Sequence, residues 1–150
     1  MIIIAHRGNK TGPSSQENKP NYLLSALEKG LNVEVDVWVH NGKWFLGHDA
    51  PLYEVSYNFI SMENMWIHCK NYDALNRLSE TNLNYFWHQE DAYTLTSHNF
   101  IWAYPGRYGT SNTIAVLPEY TTLSNNELNN FCGICTDYTE RYINDKNNYF

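Results

Sequence analysis

The sequence predicts an α/β fold: a mostly parallel sheet curled into a barrel from which some helices are missing. Two observations lead there. Short apolar runs, each closing on polar residues, recur about seven times along the chain. Several of the stretches between them are too short for a full helix, so the crossovers are uneven.

Residues 2–5 (Ile-Ile-Ile-Ala) open the chain as a buried strand that runs directly into His6, Arg7 and Gly8. The stretch KPNYLLSALEKG then spaces Tyr22, Leu23, Ala26 and Leu27 as a helix does and stops at Gly30. NVEVDVWVH alternates strictly, with Val33, Val35, Val37 and Val39 on one face and Glu34, Asp36, Trp38 and His40 on the other. Asn41-Gly42 turns this strand into a hairpin-like extension, NGKWFLGHD. MWIHCK is the next strand and DALNRLSE the helix after it; NYFWHQ, FIWAYPG, TIAVLPE and FCGICTD complete the series.

Composition narrows the function. The 150 residues suffice for one domain with a real core. A formal net charge of −6, with Lys and Arg scattered singly, argues against a nucleic-acid or anionic-membrane partner. A small anion needs only one or two local cations and remains compatible. Residues 2–5 lack a basic region before them, and no apolar run approaches the roughly 20 residues of a spanning helix. The expectation is therefore a soluble, cytoplasmic protein. The three cysteines fit no disulfide framework. Cys132 and Cys135 of CGIC lack a second pair at zinc spacing, so with Cys69 they read as small buried hydrophobes.

In parallel α/β folds the loops at the carboxyl ends of the strands converge on the ligand. Here those ends carry His6 and Arg7, Glu34 and Asp36, His68 and Lys70, His88 and Gln89, Tyr104, Glu119, and Thr136 and Asp137. Such repetition points to one shared site.

The ordered series IAHRG, QEN, ALEKGLNVEVDVWVHNGKWFLGHD and GICTD resembles the motifs of glycerophosphodiester phosphodiesterases, within the PI-phospholipase C-like superfamily. The close match covers residues 2–51. The resemblance implies a trimmed or incomplete (β/α) TIM-like barrel, because such barrels typically run to about 250 residues. It also implies a small phosphodiester substrate, a divalent cation, and acid/base roles for His6 and His48.

The residues can be read against that chemistry. A phosphodiester repels nucleophiles and its alkoxide leaving group needs a proton, so cations and an acid/base pair are required. Imidazole titrates near neutrality, which suits His6 and His48. Glu34 and Asp36 are two residues apart on a strand, about 7 Å along the chain, and share a face. A cation between them relieves their repulsion, and hard oxygen ligands favour Mg²⁺ or Ca²⁺. The same alternation also fits the solvent face of an antiparallel strand, with Trp38 and His40 continuing it.

Arg7 and Lys70 are the expected phosphate-side cations. Glu17 matches the glutamate of the family's glutamate-asparagine motif, either as a further metal ligand or as a partner orienting Arg7. The family usually presents glutamate-x-lysine on its third strand, and His68 of IHCK stands where that glutamate would be. An imidazole there lowers the negative charge and opens the site to Mn²⁺ or Zn²⁺. Trp38, Trp87, Trp102 and Tyr104 are expected to pack or to line the alcohol side of the pocket. Two further outcomes stay open: a phosphate-binding module without turnover, and a lyase or phospholipase D-like activity that forms a cyclic phosphate. A trimmed barrel exposes edges that a second copy would cover, so a homodimer is among the expected assemblies.

Overall fold

The computed structural model describes residues 1–147. Ten strands form one sheet: β1 (Ile2–His6), β2 (Asn32–His40), β3 (Lys43–Leu46), β4 (Tyr53–Val55), β5 (Met65–Cys69), β6 (Tyr85–Phe86), β7 (Tyr93–Leu95), β8 (Ile101–Ala103), β9 (Thr113–Val116) and β10 (Gly133–Thr136). Seven of them pair in parallel in the order β6-β5-β2-β1-β10-β9-β8. The others are antiparallel additions: β3 and β4 continue the β2 hairpin, and β7 pairs with β8. Among the described residues no ladder joins β6 to β8, so the sheet is curled and open.

The helices are few, as the short connections predict. They are α1 (Pro20–Leu27), α2 (Tyr57–Ile60), α3 (Tyr72–Leu78), α4 (Asn125–Leu128) and α5 (Thr139–Asn147). Pro20 starts α1 at a position where its missing N–H costs nothing, and the helix buries Leu23 and Ala26. The four-residue α2 and α4 and the strands β4 and β7 have no periodic signal of their own, and the sequence reading does not contain them.

Both faces of the central strands are buried, which decides the alternation in β2. Val33, Val35, Val37 and Val39 enter the core between sheet and helices. Glu34 and Asp36, at 2% and 0% exposure, face the inside of the curl and not solvent. The antiparallel solvent-face alternative is thereby corrected.

Inside the curl, side chains two apart on each strand stack in layers, as they do in barrels. The middle layer is apolar: Ile4, Trp66, Phe86, Trp102, Ile114 and Cys135. Phe86 and Trp102 reach across the open seam, ring centroids 4.5 Å apart, and Trp66 lies 6.0 Å from Trp102. Cys69 and Cys135 are buried and free, with burial pushing the Cys69 thiol up to about 12. They pack as small hydrophobes, as expected. Among the described residues no helix is long and apolar enough to cross a membrane.

Candidate active site

Above the aromatic layer the inward residues become polar because each strand ends there. The parallel registers set His6 against Glu34 and Asp36 against His68. Arg7, directly after β1, adopts φ 51, and Gly8 follows at φ 86. A left-handed arginine is uncommon and costs energy, and such strain is concentrated at functional sites. A Cβ on Gly8 would lie 2.9 Å from the Tyr22 ring, so only glycine completes the turn beside α1.

The turn aims Arg7 back across the strand ends. Its backbone N–H donates to Glu34 Oε2 at 3.1 Å, Nη1 donates to Glu17 Oε2 at 3.1 Å, and Nε lies 3.1 Å from Asp36 Oδ2. Glu17 spends its other oxygen accepting from Asn9 Nδ2 at 2.7 Å. Of the two roles expected for Glu17, the geometry matches the orientation of Arg7.

Glu34, Asp36 and His68 each offer a ligand atom, and these atoms all lie within 4.8 Å of one another. Asp36 is gripped from several sides. Asn18 donates to Asp36 Oδ2 at 2.8 Å and accepts from the Asp36 backbone N–H at 3.0 Å. His68 Nδ1 is 3.1 Å and Lys70 Nζ 3.6 Å from Asp36 Oδ1. That oxygen is nevertheless buried without a well-formed hydrogen bond among the described residues. His68 Nε2 is 2.7 Å from the His88 carbonyl oxygen. A carbonyl only accepts, so Nε2 carries the proton and Nδ1 is the nitrogen turned toward the carboxylates. That orientation, with the far N–H on a backbone carbonyl, is the usual one for a metal-binding histidine. The donor set therefore fits a divalent cation.

Burial opposes charge on His68, but its close contacts with the Asp36 and Glu34 carboxylates and their charges prevail and raise its pKa to about 9. Burial likewise opposes ionisation of Asp36, yet the close approach of His68 and the Arg7 charge hold its carboxyl below the usual range. A folding pH dependence follows. His68 stabilises fully below its unfolded value of 6.5, and this contribution is lost as pH rises through about 9. Asp36 and Asp137 stabilise above about pH 4 and lose that contribution as pH falls. Melting temperature in metal-free buffer is expected to be highest near pH 5–6.5 and to decline toward pH 9. In His68→Gln the alkaline decline should shrink to the part that His6, whose pKa is also raised, contributes.

His6 has a partner from the far end of the chain. Its Nδ1 is 2.7 Å from Asp137 Oδ1, just past β10. Asp137 is fixed by Asn9 Nδ2 at 2.8 Å and by the Tyr120 hydroxyl at 3.2 Å, and its backbone N–H donates to Glu119 Oε1 at 2.7 Å. With Nδ1–H donated to the carboxylate, Nε2 is left to accept a proton. Burial lowers the His6 pKa, but the Asp137 hydrogen bond and the Glu34 charge outweigh it, so the value lies above 6.5. A catalytic base at His6 would give kcat/KM an acidic limb above pH 6.5. In Asp137→Asn that limb is expected to move to lower pH while kcat falls.

The remaining expected residues are placed less uniformly. His48 is 44% exposed on its side chain and pairs through Nδ1 with Asp49 Oδ1 at 2.7 Å. Its loop is tied to the rim: Gly47 N–H donates to the Asp36 carbonyl at 3.2 Å, and Trp38 Nε1 donates to the Gly47 carbonyl at 2.6 Å. Among the described residues no hydrogen bond or ion pair joins the His48 ring to the cluster. Trp102, expected to pack or to line the pocket, is 3% exposed in the middle layer and forms part of the floor. Tyr104 is 44% exposed at the upper rim, its ring 5.8 Å from that of His88. Asn9, Asn18 and Tyr120 were not expected; Asn18 was visible only as the last residue of QEN.

A scan against protein-family models and searches of curated proteins and of solved structures return no match to this chain.

Proposed function

We propose that this chain is a small metal-dependent phosphodiesterase of the glycerophosphodiesterase type, acting on a small phosphodiester, and that its curled sheet is a trimmed (β/α) barrel. The observation that carries the reading is the convergence, at one sheet end, of the Glu34–Asp36–His68 donor set with a histidine held by a buried carboxylate. The motif series of residues 2–51 supports the same activity. Glu34, Asp36 and His68 would hold the cation, and two carboxylates with one imidazole suit Mn²⁺ or Zn²⁺ as well as Mg²⁺. When bound, the cation supplies charge neutralisation at the phosphate.

The chain's own groups supply the rest. His6 Nε2 takes the proton of the attacking water, or of a neighbouring substrate hydroxyl in the lyase outcome, and Asp137 holds the ring in the required tautomer and stabilises the resulting imidazolium. Arg7 is kept extended by Glu17 and Asp36, so its guanidinium loses little freedom when a phosphate arrives. Lys70 adds a second positive charge beside Asp36. His48, on the loop tethered above Asp36, donates the proton to the leaving alkoxide.

The experiment is product analysis on a panel of glycerophosphodiesters and bis-(p-nitrophenyl) phosphate with Mg²⁺, Mn²⁺, Zn²⁺, Ca²⁺ or EDTA. Metal-dependent release of alcohol and phosphomonoester supports hydrolysis; a cyclic phosphate as final product moves the assignment to the lyase. A second reading, a phosphate-binding module, is favoured by the ion pair that His68 itself makes with Asp36. No turnover with any cation, together with a phosphate-induced rise in melting temperature, would establish that reading instead.

A further inference from the structure

The polar layer at the carboxyl ends has a counterpart at the opposite mouth of the curl. A cavity of about 400 Å³ opens there among the amino ends of β1, β2 and β5 and the segments leading into β6 and β8. Asparagines dominate its polar lining: Asn32, Asn64, Asn82 and Asn84. By the two-residue period, Asn32 lies below Glu34 on β2, and Asn84 lies below Phe86 of the aromatic layer. These asparagines therefore share the inward face with the candidate active site, separated from it by the apolar layer.

Turn asparagines ordinarily bond the backbone around them. The side chains here are engaged far less. Asn32 Oδ1 accepts from Trp66 Nε1 at 3.0 Å, and the side chains of Asn64, Asn82 and Asn84 make no hydrogen bond among the described residues. Asn84 is only 9% exposed, and its Oδ1 is buried without a partner. Buried amides of this kind are normally satisfied, so the unmatched carboxamide of Asn84, a residue that lines the cavity, points to a ligand toward which a turn of the side chain would bring its oxygen.

The lining also selects the ligand. Its ionisable groups are one carboxylate, Glu63, and one imidazole, His98, whose Nε2 is engaged by the Asn82 carbonyl at 2.8 Å, so an anion finds neither Lys nor Arg. Carboxamides present a donor and an acceptor side by side, which matches vicinal hydroxyls. Trp66 and Phe100, with ring centroids 4.9 Å apart, add an apolar wall for C–H groups. We infer that the amino-end cavity is a second binding site, for a neutral hydroxyl-rich ring of monosaccharide size. It is independent of the phosphodiesterase reading.

The test is saturation-transfer NMR and calorimetry on the full chain with glucose, galactose, mannose and myo-inositol, each at up to 20 mM. Saturable binding of at least one is expected, weakened tenfold or more in Asn84→Leu and in Asn32→Leu but unchanged in His6→Ala. Asn82→Ala, at the exposed rim, keeps the backbone carbonyl that accepts from His98 Nε2, puts folding at little risk and should weaken binding severalfold. Failure of every sugar to saturate the native chain would overturn the inference. So would binding that persists in all three asparagine variants or disappears in His6→Ala, which would locate it at the other mouth.

Discussion

Replacing His6 with alanine is expected to lower kcat toward phosphodiesters by about 10²–10⁴-fold, with KM changed little. That is about 3–5 kcal/mol of barrier. The magnitude rests on position. His6 ends β1 beside Glu34, has its Nδ1 fixed by Asp137 at 2.7 Å, and leaves Nε2 for the nucleophile's proton. No other described imidazole combines these features: His68 uses Nε2 on a carbonyl and Nδ1 on the carboxylates, and His48, although its Nδ1 also meets a carboxylate, that of Asp49, stands exposed on the rim. The variant should retain its fold, because Asp137 keeps its bonds from Asn9 and Tyr120. Steady-state kinetics with circular dichroism as a control would decide it; unchanged kcat in a folded His6→Ala would remove His6 from the chemistry.

The second large effect is on stability. Asp36→Ala is expected to cost about 3–5 kcal/mol, because it breaks a buried ion network from one side. Asp36 is fully buried, and Arg7 Nε, His68 Nδ1 and Lys70 Nζ all lie within 3.6 Å of its oxygens. Its removal takes the shared carboxylate from three positive groups, leaving Arg7 with Glu17, His68 with Glu34 at 3.6 Å and Lys70 without its carboxylate, and it orphans the Asn18 amide. A domain of this size typically has about 5–15 kcal/mol to lose, so the melting temperature should fall by on the order of 10 °C. Asp36→Asn, which keeps the shape and the Asn18 contact, should lose less stability while still losing metal affinity. A fall of only a degree or two in Asp36→Ala would show that the cations are separately solvated and that Asp36 does not organise them.

Much of this site was legible because strand periodicity is local. Glu34 and Asp36 share a face whatever the fold, and a parallel sheet necessarily brings His6, His68 and Lys70 to the same end. The seven parallel strands correspond to the apolar runs of the sequence. What escaped depends on closure in three dimensions. The His6–Asp137 bond joins residues 131 apart and exists only because β10 returns beside β1. Asn9 and Asn18 enter through the irregular loop between β1 and α1, where Arg7 and Asn18 both take positive φ and periodicity carries no information. Whether Trp102 packs or lines the pocket stayed open in the sequence because alternation tells two faces apart without saying which height along the strand opens to a ligand. Its neighbour two residues on, Tyr104, is the one at the rim.

The most direct measurement is a calorimetric titration of Mn²⁺ into the metal-stripped native chain and into Glu34→Gln, with turnover followed on the same samples. The Glu34–Asp36–His68 site predicts one ion per chain, activity that rises in step with occupancy, and loss of both in Glu34→Gln. Full turnover in the metal-stripped chain, or metal uptake that Glu34→Gln leaves intact, would contradict it.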